Sequence, residues 1–176
     1  MNRKSLLSCR ARRAAVPNGF TLMELLIVIA IILILMLMAI PTVGHLRKMA
    51  NEESAVKSMQ VITSAQLSYS STYPMNGYAC TMGALGGDSA SGPPTAAAAQ
   101  IVQPDLASGY KSGYIFSIVC KEKVTVNGVD RYNGYTVTGV PQTVGKTGDR
   151  GYCESDTGTI TYDPIGGTNC TQPLSQ

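Results

Sequence analysis

The chain has 176 residues, 44% of them hydrophobic and 14% charged, with five Cys, no Trp and a formal net charge of +3. That length suits one small domain with an appendage and argues against a multidomain enzyme. Few charges with moderate hydrophobicity argue against wholesale disorder. The charge is uneven. Met1 to Gly19 carries Arg3, Lys4, Arg10, Arg12 and Arg13 with no acid, a local +5. The other 157 residues hold the remaining nine Lys and Arg against all eleven Asp and Glu, giving −2. If the front segment is removed, attraction to nucleic acid through net charge goes with it, and no specific nucleic-acid partner is predicted.

From Leu25 to Gly44 there are twenty consecutive residues without a formal charge. At about 1.5 Å per residue they span roughly 30 Å, the hydrocarbon thickness of a bilayer. A helix apolar on every side would need a far larger domain to bury it. A membrane segment is therefore expected, with the basic residues on the cytoplasmic side and everything after Gly44 outside. An ordinary signal peptide fits poorly. The small residue, Gly19, precedes the apolar run, and Pro41-Thr-Val-Gly-His-Leu-Arg-Lys follows it in place of an Ala-x-Ala site. Glu24 is the odd residue at the entry to the apolar stretch, because an acid inside a bilayer is costly. A cut after Gly19 would create an α-ammonium on Phe20, four residues before Glu24. Between neighbouring chains that charge pair would fix the axial register of helices that otherwise slide in lipid.

Gly19-Phe-Thr-Leu-Met-Glu-Leu-Leu-Ile-Val-Ile-Ala-Ile-Ile, after a basic leader, resembles the processing site and N-terminal helix of type IV pilins and pseudopilins. Met23 takes the motif's free position, and the resemblance covers about Arg12 to Pro41. It implies a prepilin peptidase that cuts between Gly19 and Phe20 and methylates the Phe20 amine, and Glu24 neutralising Phe20 of an adjacent subunit. It also implies partners: the inner-membrane assembly platform with its ATPase, the membrane before assembly, and other copies of the chain in a helical homopolymer. Pro41 stands where the family commonly has a helix-breaking proline, so local loosening of the helix is expected there. The stretch from Ile31 to Met38 lacks the Gly that pilins often carry midway through this segment.

Beyond Pro41, Leu46, Met49, Ala50, Val56, Met59, Ile62, Ala65 and Tyr69 recur mostly at three- and four-residue intervals, the period of an amphipathic helix. Tyr73-Pro74 ends it. His45, Arg47 and Lys48 read as interfacial residues. From Pro74 the composition turns to Gly, Pro, Ser, Thr and Tyr. Residues 86–99 read as an exposed excursion leading to a short helical patch at 96–101. Tyr114 to Cys120 reads as a strand. Val124 to Val126 and Val129 to Tyr132 flank the hairpin signal Asn127-Gly128, and Tyr135 to Val140 and Thr159 to Tyr162 follow as strands. The expected fold is α+β: a long N-terminal helix packed on a three- or four-stranded antiparallel head, as in the pilin family. The expected organisation is a cleaved leader at 1–19, a helix at 20–73 with 20–44 in membrane or filament core, and a head at 74–176.

Cys9 lies in the leader; Cys80, Cys120, Cys153 and Cys170 lie in the head. An even number outside the cytoplasm suggests two disulfides, for which four Cys allow three connectivities. Cys80–Cys120 would tie the loop after the helix to the first strand. Cys153–Cys170 would close the C-terminal region, and resembles the disulfide-closed end loop of many pilins. A four-Cys zinc site lacks any Cys-x-x-Cys pair. Asp149, Asp156 and Asp163 lie in a Gly-rich region and could ligate Ca²⁺, as in some pseudopilins, but turn-forming aspartates are the preferred reading. Asn169-Cys-Thr fits a glycosylation triplet in what reads as a bacterial context. No catalytic constellation and no cofactor are expected.

The expected function is a structural subunit, a major pilin, held in the inner membrane with its head outside and then polymerised into a surface filament. One alternative is a major pseudopilin of a type II secretion system. Gln66 to Pro74 is similar to the helix end of those proteins, whereas the missing Trp, two candidate disulfides and a long loop favour a pilin. Another is a minor pilin binding DNA or a surface, with Lys111, Lys121, Lys123 and Arg131 as its basic patch.

Overall fold

A computed structural model describes residues 19–126 and 128–174, without the side chains of 38–42. The leader up to Asn18, including Cys9, the turn residue Asn127 and the side chain of Pro41 lie outside the described residues. Helix α1 spans Leu22–Thr72. Two one-turn helices follow, α2 (Met82–Leu85) and α3 (Pro104–Ala107), with a 3-10 turn at Ser89–Ser91 between them. Strands β1 (Tyr110–Lys111), β2 (Tyr114–Val126), β3 (Val129–Pro141), β4 (Gly151–Ser155), β5 (Ile160–Asp163) and β6 (Gln172–Pro173) form one sheet in chain order. Every neighbouring pair is antiparallel. The protein is α+β, a helix packed on an antiparallel sheet that carries two disulfides, Cys80–Cys120 and Cys153–Cys170.

The chain divides into two compact units, one ending at Ile40 and one spanning Pro41–Gln176. In the first, every described side chain from Leu22 to Leu37 is exposed. Among the described residues no helix is long and apolar enough to cross a membrane, so the expected membrane span is not supported on these residues. The described side chains of the apolar run stop at Leu37, whereas the run itself continues to Gly44. α1 runs through Pro41 as one helix. A proline removes one N–H donor from the ladder, and the flanking turns of a 51-residue helix keep theirs.

In the second unit α1 lays Ala55, Met59, Ile62, Ala65 and Tyr69 against the sheet, one residue per turn of a single face. Tyr114, Phe116 and Ile118 of β2 and Tyr135 and Val137 of β3 alternate inward to meet them. On the opposite face Ser117 and Thr138 share a hydroxyl contact of 2.8 Å. Leu85 of α2, Leu106 of α3 and Val102 close one side of the core. The stripe is shorter than its sequence period suggests: Leu46, Met49 and Ala50 are exposed. At that level α1 meets a polar loop, and Lys48, Asn51 and Glu52 make its contacts there.

The strands also extend beyond their sequence signals. The two segments read on either side of Lys121 are one strand, β2, and those around Gly134 are one strand, β3. The two pair in one register from Tyr114↔Pro141 to Val126↔Val129, interrupted at Glu122, whose φ is 54°, and Gly128 at the hairpin end has φ 79°. Strands β1, β4 and β6 bring the count to six. The helical patch expected at 96–101 does not form. Thr95 and Ala98 bridge, and the N–H groups of Ala99, Gln100 and Ile101 donate to the carbonyls of Ala84, Gly86 and Leu85 at 2.9, 2.7 and 2.8 Å. Satisfying the orphan carbonyls at the end of α2 outweighs the helix propensity of the alanines.

Candidate processing and assembly site

Gly19, Phe20 and Thr21 precede α1 outside any helix or strand. Thr21 Oγ1 accepts a hydrogen bond from the Glu24 N–H at 3.2 Å, and the Thr21 carbonyl accepts from the Leu25 N–H at 3.2 Å. Thr21 is thus the N-cap. With Glu24 three residues later, the Thr-x-x-Glu spacing is that of a capping box. Glu24 is the acid of the first turn, where the exposed N–H groups and helix dipole favour negative charge. Sequence reasoning placed Glu24 but gave Thr21 no structural role. The signal was available, since Ser or Thr three residues before Glu marks a helix start.

Phe20 is 80% exposed, and a Cβ built on Gly19 would meet nothing within 4 Å. No packing within the described chain requires glycine at position 19. Gly19, Phe20 and Glu24 therefore lie within six residues at an open helix start, and none is held by a tertiary contact among the described residues.

The other expected residues lie in the second unit and serve its fold. Cys80 and Cys120 have Cα atoms 5.1 Å apart, and Cys153 and Cys170 have theirs 5.9 Å apart. Lys48 Nζ reaches Asp149 Oδ2 at 2.8 Å, and Asn51 Nδ2 donates to the Thr147 carbonyl at 2.9 Å. Glu52 Oε1 accepts from the Asp149 N–H at 2.8 Å, which fixes the 147–150 loop to α1. Arg150 lies over the Tyr162 ring, 5.2 Å from its centroid. Burial pushes the Tyr152 hydroxyl up to about 12, and the nearby Glu52 carboxylate acts in the same direction. Asp163 is buried, and its carboxylate accepts from the N–H groups of Ile165 and Asn169 at 3.1 Å each. Asp156 is exposed. Among the described residues no three His, Cys, Asp or Glu side chains gather where a metal ion could sit. Two of the four residues of the expected basic patch are paired, Lys123 with Asp130 at 2.8 Å and Lys111 with Asp105 at 3.9 Å. His45 is exposed, near Lys48 and Asp149 in a shallow cavity of about 210 Å³.

Against known families, residues 17–40 match the prokaryotic N-terminal methylation motif. The chain carries the type IV pilin and pseudopilin signature. That signature covers Gly19, Phe20, Thr21 and Glu24 and the apolar first half of α1. It implies processing by a prepilin peptidase and assembly into a filament of the pilus type, in a family that is structural rather than enzymatic. No curated protein and no solved structure matches the chain.

Proposed function

We propose that the chain is a structural subunit of a type IV pilus-like filament, a major pilin, made as a single-pass inner-membrane precursor with its head outside the cytoplasm. Prepilin peptidase removes 1–19 and methylates Phe20. Assembly then moves α1 from lipid into a fibre core. That transfer changes hydrophobic burial little, so helix packing and the Phe20–Glu24 charge pair between subunits decide association. One observation carries this reading: the methylation motif coincides with a capped helix start whose apolar side chains, Leu22 to Leu37, have no partner among the described residues. The openness around Gly19 fits the same reading, since glycine there serves a peptidase rather than the fold. Two disulfides and the exposed stretch from Asp88 to Thr95 favour a surface pilin over a secretion pseudopilin.

The intact mass of the mature protein tests the processing step. It is expected to equal residues 20–176 plus one methyl group, less four hydrogens for the two disulfides. A mature chain beginning anywhere other than Phe20 overturns the proposal. Sheared surface fibres are expected to consist mainly of this chain, and its presence there only in traces assigns the minor-subunit role instead.

A further inference from the structure

The end of the head at which α1 enters is built from turns. Going down β3, Tyr135 meets α1 at Thr63, and a Cβ on Gly139 would lie 3.5 Å from Met59 Sδ. The Tyr152 hydroxyl, near the start of β4, lies 3.5 Å from Glu52 Oε2. β3 therefore descends α1 towards Gly44, and the sheet ends there in the turns that follow Pro141 and Asp163. Their tips carry Val144 and Ile165, which are 54% and 78% exposed. A Cβ on Gly166 would come within 2.7 Å of Val144 Cγ2, so the two tips adjoin. Neither side chain belongs to the core of the head.

The acids at this end are already engaged. Asp149 holds Lys48 at 2.8 Å. Glu52 accepts from the backbone of Asp149 and Arg150 and lies 3.8 Å from the Arg150 guanidinium. Asp163 is buried and accepts from two N–H groups. Arg47 and Lys146 are exposed and make no ion pair among the described residues. The uncommitted charge of this end is thus positive, and it flanks two apolar tips.

The position of this end along α1 says what it meets. Residues 41–44, the last of the uncharged run, open the same compact unit. The 147–150 loop holds α1 from Lys48 to Glu52, which is four to eight residues beyond Gly44, or about 6–12 Å along the axis. A headgroup layer is about 5–8 Å deep on each side of the hydrocarbon. With the uncharged run in lipid, tips that project from the sheet towards Gly44 reach that layer. Anionic headgroups there offer phosphates to Arg47 and Lys146, and the boundary beneath them accepts aliphatic side chains. A second copy applied end to end would instead bring like charges together.

We propose that this end of the head seats on an anionic bilayer surface. Val144 and Ile165 enter the boundary between headgroups and acyl chains, and Arg47 and Lys146 bind lipid phosphates. The proposal rests on the reading of the chain as a single-pass precursor, and it adds a second membrane contact that assembly has to break.

The test places the full chain, one copy per disc, in bilayer nanodiscs of phosphatidylcholine with and without phosphatidylglycerol. A nitroxide on the upper acyl chain broadens the amide resonances that lie near it. Broadening is expected at Gly145 and Gly166, stronger with phosphatidylglycerol, and none at Gly128 in the far hairpin. Val144→Ser/Ile165→Ser is expected to reduce it at least about threefold while both disulfides stay formed. Arg47→Gln/Lys146→Gln is expected to remove the dependence on phosphatidylglycerol. Leu35 reports the membrane segment separately. With Leu35 broadened by a nitroxide deep in the acyl chain, silence at Gly145 and Gly166, or equal broadening in wild type and both variants, overturns the seating and leaves the precursor reading intact. With Leu35 unaffected, both fall. Perturbation of Gly145 and Gly166 only in discs that hold two chains assigns the surface to a second copy and also overturns the proposal.

Discussion

Leu35 and Leu85 carry the same side chain in opposite circumstances. Leu35 is 61% exposed in the first half of α1, and Leu85 is fully buried among α2, α3 and the sheet. The region around Leu85 satisfies itself. Its apolar groups touch one another, and its buried amide Gln66 both donates to the Ala79 carbonyl at 2.8 Å and accepts from the Ala79 N–H at 2.9 Å. The region around Leu35 satisfies nothing within the described chain. The difference shows where each region's specificity comes from. A side chain in the head is constrained by its neighbours in the same molecule, and one in the apolar segment by whatever surrounds it, lipid or other subunits.

That contrast breaks first at Glu24. Glu24→Ala is expected to abolish filaments on the cell surface, seen by electron microscopy, while membrane fractionation and the melting temperature of the head stay unchanged. Normal filaments would make the charge pair dispensable. Leu85→Ala should do the reverse and destabilise the head by about 2–5 kcal/mol, the usual cost of deleting a fully buried leucine, measured by denaturant unfolding. A loss below 1 kcal/mol would mean that this corner of the core collapses around the gap.

Glu154 sharpens the comparison through pH. Burial holds its carboxyl above the usual range, with only Thr63 beside it to oppose the shift and Tyr135 as its titratable neighbour. A carboxyl raised in the fold favours the folded state below its unfolded value, and that contribution is lost as pH rises through the folded value. Glu154→Gln is therefore expected to raise the melting temperature at pH 7, with the gain shrinking as pH falls through the folded value and gone below about 4, the unperturbed glutamate range. A gain independent of pH would point to packing instead. The smallest effect is expected at Thr21. Thr21→Ala removes a cap worth about 1 kcal/mol, so amide exchange should accelerate at Leu22 to Leu25 and nowhere in the head.

The sequence revealed the apolar segment, the processing motif, the helix end before Pro74 and the strands around Tyr114, Tyr135 and Ile160, because each is a local pattern of hydrophobicity or turn chemistry. It did not reveal β4, whose Gly-Tyr-Cys-Glu-Ser lies in a Gly-rich stretch and becomes a strand through pairing with β3 and β5. The failed helix at 96–101 has the same origin: the end of α2 claims those N–H groups, and no local window contains that demand. Leu46 and Met49 keep the helical period yet stay exposed, since periodicity marks a face and not how far the partner sheet reaches. At the candidate site, Gly19, Phe20 and Glu24 were legible as a motif. Glu52 and Glu154 were not, because their roles depend on contacts a hundred residues away and on a pairing register.

The Thr21 cap also determines what proteolysis leaves behind. Both of its hydrogen bonds run forward, to Glu24 and Leu25, and neither involves Gly19 or anything before it. A cut at the Gly19–Phe20 bond would leave the first turn of α1 with the same bonds in precursor and product. Peptidase and assembly machinery would thus meet one helix start, and maturation would change its charge without requiring it to refold.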